Sequence, residues 1–247
     1  QYTQAAIFAV EYALAQLWTA WGITADWAAG HSIGEFAAAC LAGIVSLEDA
    51  VKLVAARGKL MQSLPAGGVM AAVFTEENQV EALLKESRDT VSIAAVNAPQ
   101  SVVISGSRAG VENLLQDLEK RGITGQYLKV SHAFHSPLME PILDEFEAVA
   151  AQVKYGTSRI PIISTLTGKQ AEGGDLVSAR YWRDQIRRPV RFAAAVETLA
   201  VEGTTVLLEI GAMPTLTGLA GRILPSLSSK KEDQAPIGLF GSLKKGE

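Results

Sequence analysis

A chain of 247 residues, 48% hydrophobic and 19% charged, has globular composition and is long enough for one large domain carrying a smaller insert. Its net charge of −4 leaves no basic excess to neutralise phosphates, which argues against a nucleic-acid partner. No apolar run reaches the roughly 18 residues that span a bilayer and no basic segment precedes an apolar one at the start, so the chain reads as cytoplasmic, with no membrane partner.

The first residues, Gln1-Tyr2-Thr3-Gln4, already read as helix with no initiator Met, so a fragment or excised domain of something longer is expected. Ile7, Val10, Leu14, Leu17, Trp18 and Trp21 recur at helical spacing and predict a buried stripe, with Gly22 as the stop. Asp26-Trp27-Ala28-Ala29 then leads into Gly30-His31-Ser32-Ile33-Gly34, the G-x-S-x-G pattern of a sharp strand-to-helix turn. Glycines at both flanks leave room for strained backbone at Ser32, and the helix formers after Glu35 place that serine at a helix N-terminus. Free N–H groups and a positive partial charge there favour an oxyanion. Cys40, the single cysteine, excludes a disulfide and offers no metal-ligand spacing; its apolar helical setting predicts an inert thiol.

Gly43 breaks the helix, and Ser46 with Asp49 starts another through a capping box. Leu47, Ala50, Val51, Val54, Gly58 and Met61 form its predicted stripe, with Arg57 at the edge. Residues 67–130 change character: strand 69–74, helix 76–85, strand 91–98, strand 101–105, helix 110–120 and strand 126–130. This β-α-β-β-α-β order predicts a ferredoxin-like small domain inserted into a large one made of residues 1–66 and 131–247. In the large part, helices are predicted at 138–153, 179–186 and 192–201. Strands are predicted at 160–166, at 205–210 (buried) and at 237–240, with an exposed polar loop over 226–234. Strands alternating with helices predict a parallel α/β sheet.

A serine nucleophile needs a base. His31 sits inside the turn, which leaves His132 and His135 of Ser131-His132-Ala133-Phe134-His135-Ser136, where the insert rejoins the large domain. Arg57 either snorkels or pairs with an acid; facing the cleft instead, its rigid fork matches a carboxylate and selects a carboxylated substrate.

The motifs together resemble the malonyl-CoA and acyl-CoA:acyl-carrier-protein transferase domains of polyketide and fatty acid synthases. Gly30-His31-Ser32-Ile33-Gly34-Glu35 resembles the nucleophile motif, and Ala56-Arg57-Gly58-Lys59-Leu60-Met61-Gln62 the arginine helix. Further similarity lies in Val96-Asn97-Ala98-Pro99-Gln100, in Tyr181-Trp182 with Pro189-Val190-Arg191-Phe192, and in Leu208-Glu209-Ile210-Gly211. The resemblance implies an α/β-hydrolase-like large subdomain with the ferredoxin-like insert. It implies Ser32 as nucleophile, His135 as base, the Gln185 backbone carbonyl as the group orienting the histidine, and the Ile33 N–H as one oxyanion donor. The family's second donor comes from a glycine-glutamine loop that this chain begins after. Arg57, with Phe134, His132 and His31, is implied at the substrate.

His132-Ala133-Phe134-His135 resembles the malonyl-selecting version of a specificity motif, Phe134 filling the space that a methyl branch needs; Ile33 agrees. No metal or redox cofactor is implied. The partners implied are malonyl-CoA, the phosphopantetheine arm of an acyl carrier protein, and neighbouring synthase domains. Arg183, Arg187, Arg188 and Arg191 either meet an acidic carrier or form a solvated, internally paired face. Two other readings stay open at this point: an α/β-hydrolase-type esterase or thioesterase, and an inactive docking module.

Overall fold

A computed structural model describes residues 2–84, 87–172, 174–228 and 236–243. The chain opens with helix α1 (Tyr2–Ala20), a two-residue strand β1 (Ala28–Ala29), α2 (Gly34–Ala42) and α3 (Leu47–Ser63). Gly43 ends α2 at φ +79, a left-handed cap, and the Ser46 hydroxyl accepts from the Asp49 N–H to start α3. Helix α1 packs on both α2 and α3, but not through the predicted stripe. Phe8 and Ala15 are buried, whereas Ile7, Val10, Leu17 and Trp21 are exposed. Because α1 is apolar almost all round, its larger side chains mark a face that no element among the described residues covers. On α3, Leu47 and Val51 are likewise exposed, while Leu53, Arg57 and Leu60 join the buried face.

Next in the chain are β2 (Gly68–Val73), α4 (Glu77–Leu84), β3 (Val91–Ala98), β4 (Ser101–Ser107), α5 (Arg108–Glu119) and β5 (Gly125–Tyr127). The strands form one antiparallel sheet in the order β3-β4-β2-β5, which is the ferredoxin-like arrangement. This lobe has its own core, in which Val73, Val80, Ile104, Val111 and Leu118 are fully buried.

The chain then passes through a 3₁₀ turn (Pro137–Ile142) into α6 (Leu143–Ala150). Pro141 sits in the 3₁₀ stretch, which delays the regular helix. There follow β6 (Ile162–Ser164), β7 (Lys169–Gln170), α7 (Ala179–Arg187), α8 (Phe192–Val201), β8 (Val206–Glu209), α9 (Thr215–Ser228) and β9 (Gly238–Gly241). Most of the polar loop expected at 226–234 lies outside the described residues. Strand β6 pairs with β1 in parallel and with β7 in antiparallel, and β8 with β9 in parallel.

The expected single parallel sheet is therefore divided in two. Between the parts lies a cavity of about 920 Å³, lined by Glu11, Trp18, Ala28, Phe192 and Leu207 among others. Since β8 faces that space, its residues are exposed or half-buried, and not buried as its apolar run predicted. The molecule is of the α/β class. Its lobes share an apolar cluster in which Met70, Ala95 and Val103 of the small lobe meet Val190, Phe192, Val196 and Ile223 of the large one. One parallel bridge, Ala95 to Val190, ties β3 to the large lobe: Val96 N–H donates to the Val190 carbonyl (2.9 Å) and Val190 N–H to that of Ala94 (2.9 Å).

Candidate active site

Ser32 lies between β1 and α2 with φ +51, a left-handed conformation rare for a non-glycine residue. The sharpness of the turn explains Gly30. A Cβ there would sit 2.2 Å from the Gly34 carbonyl carbon, so only glycine fits. The N–H groups of Gly34, Glu35 and Phe36 donate to the carbonyls of His31, Ser32 and Ile33, leaving the Ile33 N–H without an acceptor among the described residues. Behind the turn the fully buried Glu35 accepts from the Thr165 N–H (2.9 Å) and the Tyr181 hydroxyl (2.7 Å). Thr165 in turn donates to the Gly30 carbonyl (2.8 Å). Burial pushes the Glu35 carboxyl above its ordinary range, against the pull of the Tyr181 and Thr165 hydrogen bonds.

The Ser32 hydroxyl lies 2.8 Å from His135 Nε2, and His135 Nδ1 lies 3.0 Å from the Arg188 carbonyl. A carbonyl only accepts, so Nδ1 carries the proton and Nε2 accepts from Ser32. Arg57 Nη2 donates to the same hydroxyl (3.1 Å), and Nη1 to the Gln4 side-chain carbonyl; Nε is buried without a partner among the described residues. Arg57 and His135 are both almost wholly buried. Burial holds the imidazole down at about 3, helped by the positive Arg57 beside it, and lowers the guanidinium to about 10, with Glu35 opposing. The resting histidine is therefore neutral, as a base must be.

The remaining predicted residues fall in different places. His135 Nδ1 bonds the Arg188 carbonyl and not, as expected, that of Gln185, which interacts more weakly with the same ring. The reason is local: α7 ends at Arg187, so the extended Arg188 is free of the helix and can turn its carbonyl to the imidazole. The Gln185 side chain instead donates to the Ser32 carbonyl (2.6 Å). His31 Nε2 bonds Asn97 Oδ1 (2.9 Å) and its ring lies against Phe192, so it faces the small lobe. His132 is buried, with Nδ1 against the Ser131 hydroxyl, and among the described residues no hydrogen bond joins it to Ser32. Phe134 packs where the main core of the large lobe meets the cluster between the lobes.

Burial pushes the Cys40 thiol up to about 12, which makes it inert. Three of the four arginines singled out are internally paired: Arg183 with Asp144 and Glu147, Arg187 with Glu140, and Arg191 with Glu77. The paired face therefore describes them better than a carrier-docking patch. Sequence reasoning missed Gln4, Ser92 and Asn97. Gln4 had a signal. With Phe8, Glu11 and Ala15 it occupies one helical face, and a polar residue on a buried face calls for a partner. Asn97 lay in a motif already quoted for the resemblance, but its partner did not show, and Ser92 carried no signal, since the partners of the two are 66 and 43 residues away. Among the described residues, no cluster of three or more His, Cys, Asp or Glu side chains is grouped to hold a metal, and no helix is long and apolar enough to cross a membrane.

The family model described as "Acyl transferase domain" matches residues 1–247. The chain belongs to that family. It is 48% identical over 228 residues to the mycoketide-CoA synthase of Mycobacterium tuberculosis, covering 92% of this chain but 5% of that protein. The polyketide synthase GfsA of Streptomyces halstedii is 48% identical over 220 residues, covering 89% of this chain and 3% of the relative. Among solved structures, the acyltransferase domain from the second module of the salinomycin polyketide synthase superposes with a TM-score of 0.92 at 45% identity, over 99% of this chain and 56% of that one. The malonyl-CoA:acyl carrier protein transacylase of Xanthomonas oryzae gives 0.88 at 31%, over 99% of this chain and 76% of the other. The acyltransferase domain is thus an enzyme domain, of the kind found in multidomain polyketide synthases. Neither the hydrolase reading nor the inactive-module reading is favoured.

Proposed function

We propose that this acyltransferase domain moves a malonyl group from malonyl-CoA to the phosphopantetheine thiol of an acyl carrier protein, through a malonyl ester on Ser32, in the cytoplasm. One observation carries the reading: a buried guanidinium donates to the same hydroxyl that donates to a neutral imidazole. In Arg57 the Nε and Nη2 hydrogens form one edge of the fork. Nε lacks a partner among the described residues and Nη2 rests on the nucleophile, so this edge suits a carboxylate held next to the reacting carbonyl.

Ser32 Oγ attacks the thioester carbonyl while its proton passes to His135 Nε2, and the Ile33 N–H supports the oxyanion. The tetrahedral intermediate then collapses, CoA sulfur leaves, and it takes that proton. In the second half the carrier thiol gives its proton to Nε2 and attacks the ester carbonyl; Ser32 leaves and recovers the proton. The Arg188 carbonyl stabilises the imidazolium that forms in each half. The chemistry as written uses no metal or redox cofactor.

Intact-mass spectrometry after exposure to malonyl-CoA tests the scheme. The expected result is a single malonyl adduct that is absent from Ser32→Ala and is passed to a phosphopantetheinylated carrier. Release of free malonate faster than transfer would return the hydrolase reading. Phe134 adds a selectivity prediction. Phe134→Ser opens room for a methyl branch and is expected to raise methylmalonyl relative to malonyl loading by about 10-fold, the scale on which sterics discriminate one methyl group. An unchanged ratio in a competition assay would remove Phe134 as the gate.

A further inference from the structure

His135 has φ +57, so nucleophile and base alike are held in left-handed backbone that their own side chains disfavour. Such a conformation persists only where its surroundings fix it. Around Ser32 the fixing groups are Gly30, the Gln185 side chain and the Glu35 network described above. Around His135 the group on the main chain comes from the other lobe: the Ser92 hydroxyl of β3 donates to the His135 carbonyl (2.8 Å).

Strand β3 touches the site at two further points. Three residues beyond Ser92, its bridge to Val190 fixes the segment between α7 and α8 that carries the Arg188 carbonyl, the acceptor of His135 Nδ1. At its end, Asn97 holds His31, the residue before Ser32. One strand of the small lobe therefore braces the base, the acceptor behind the base and the neighbour of the nucleophile.

We infer that Ser92 is a positioning residue, its hydroxyl holding the His135 main chain in the left-handed conformation that aims Nε2 at Ser32. The inference rests on reading His135 as the base. Removing the hydroxyl leaves both ring partners in place but frees the carbonyl, so the peptide can relax toward ordinary φ and swing the imidazole. Displacing a reacting group by about 1 Å costs on the order of 10²-fold in rate. The expected effect falls on the rate of acyl transfer, not on substrate affinity.

The experiment compares Ser92→Ala, Ser92→Thr and Ser105→Ala with the unaltered chain. Ser105 is the register partner of Ser92 on β4, and its hydroxyl is buried without a hydrogen-bond partner among the described residues, so it controls for loss of a hydroxyl from this sheet. Two readouts are taken: the rate and KM of malonyl loading by intact mass, and the downfield Nδ1–H resonance of His135 by NMR with labelled histidine. Ser92→Ala is expected to lower the loading rate 10- to 100-fold with KM within about 3-fold, and to shift or broaden the resonance. Ser92→Thr, which keeps a hydroxyl, is expected to restore both, and Ser105→Ala to change neither. Loading and resonance unchanged in Ser92→Ala would overturn the proposal, as would failure of Ser92→Thr to restore them while its thermal midpoint is normal. If the unaltered chain takes up no malonyl group, the proposed function fails, while the His135 resonance still decides whether Ser92 fixes the ring.

Discussion

Arg57 does two things to its neighbours at once. Its charge adds to the burial that keeps the His135 imidazole unprotonated, and its Nη2 donates to the hydroxyl that faces that imidazole. Replacing it by alanine removes the carboxylate partner but leaves the Ser32–His135 pair intact. Arg57→Ala is accordingly expected to slow malonyl loading by 10²-fold or more while acetyl loading changes by less than about 10-fold; equal losses for both would deny the clamp. The histidine makes a second prediction. A base held at about 3 by burial stays neutral down to acid pH, so kcat/KM for loading is expected to be level from pH 5 to 7.5, with no limb near 6.5. A limb centred near 6.5 would show that burial does not govern this group. The sign for stability follows from the same shift: the folded value lies below the unfolded one, so the contribution is complete above about 6.5 and is lost as pH falls toward 3. The turn at Ser32 was legible because G-x-S-x-G forces a local geometry. The choice of Arg188 over Gln185 was not, since it turns on where α7 ends, and a boundary within a few residues is what local propensity fixes least.

At the scale of elements, strand β3 and helix α8 lie where the sequence pattern put them, because turn residues or prolines bound them on both sides. Helix α1 was legible as a helix but not in its orientation, which depends on α2 and α3 covering the face of Phe8 and Ala15. That orientation carries Glu11 toward the end of β8. There Glu209 caps α9, accepting from the N–H groups of Thr215 (2.9 Å), Leu216 (2.9 Å) and Thr217 (2.8 Å). Burial lifts the Glu11 carboxyl to about 7, and the charge of Glu209 adds to the rise. Here the folded value lies above the unfolded one. The stability this group contributes is complete below about 4.5 and is lost as pH rises through 7, opposite in sign to His135. Glu11→Gln, neutral at every pH, is expected to raise the thermal midpoint relative to the original chain at pH 8 and to change it little at pH 4. A midpoint difference of the same size at both pH values would place the Glu11 effect in packing and not in its charge.

For the whole molecule, the open question is whether the two lobes move as separate bodies. Interfaces between domains of one chain are usually polar enough to permit hinge motion. This one has an apolar centre: Met70, Ala95 and Val103 meet Val190, Phe192 and Ile223 in a continuous cluster, closed by the backbone bridge from Ala95 to Val190. The brace on the active site also passes through it, since β3 belongs to the small lobe while the residues it holds belong to the large one. The lobes should therefore lose structure together. Calorimetry is expected to show one unfolding transition. Ile223→Ala, which empties a fully buried site on the large-lobe side, should cost about 2–5 kcal/mol and move that single transition down by roughly 5–15 °C. Amides of β3 and α8 should lose hydrogen-exchange protection in the variant by equal amounts. Two resolved transitions, or protection lost in α8 alone, would mean that the small lobe folds on its own core of Val73, Ile104 and Leu118 and braces the site without sharing its stability.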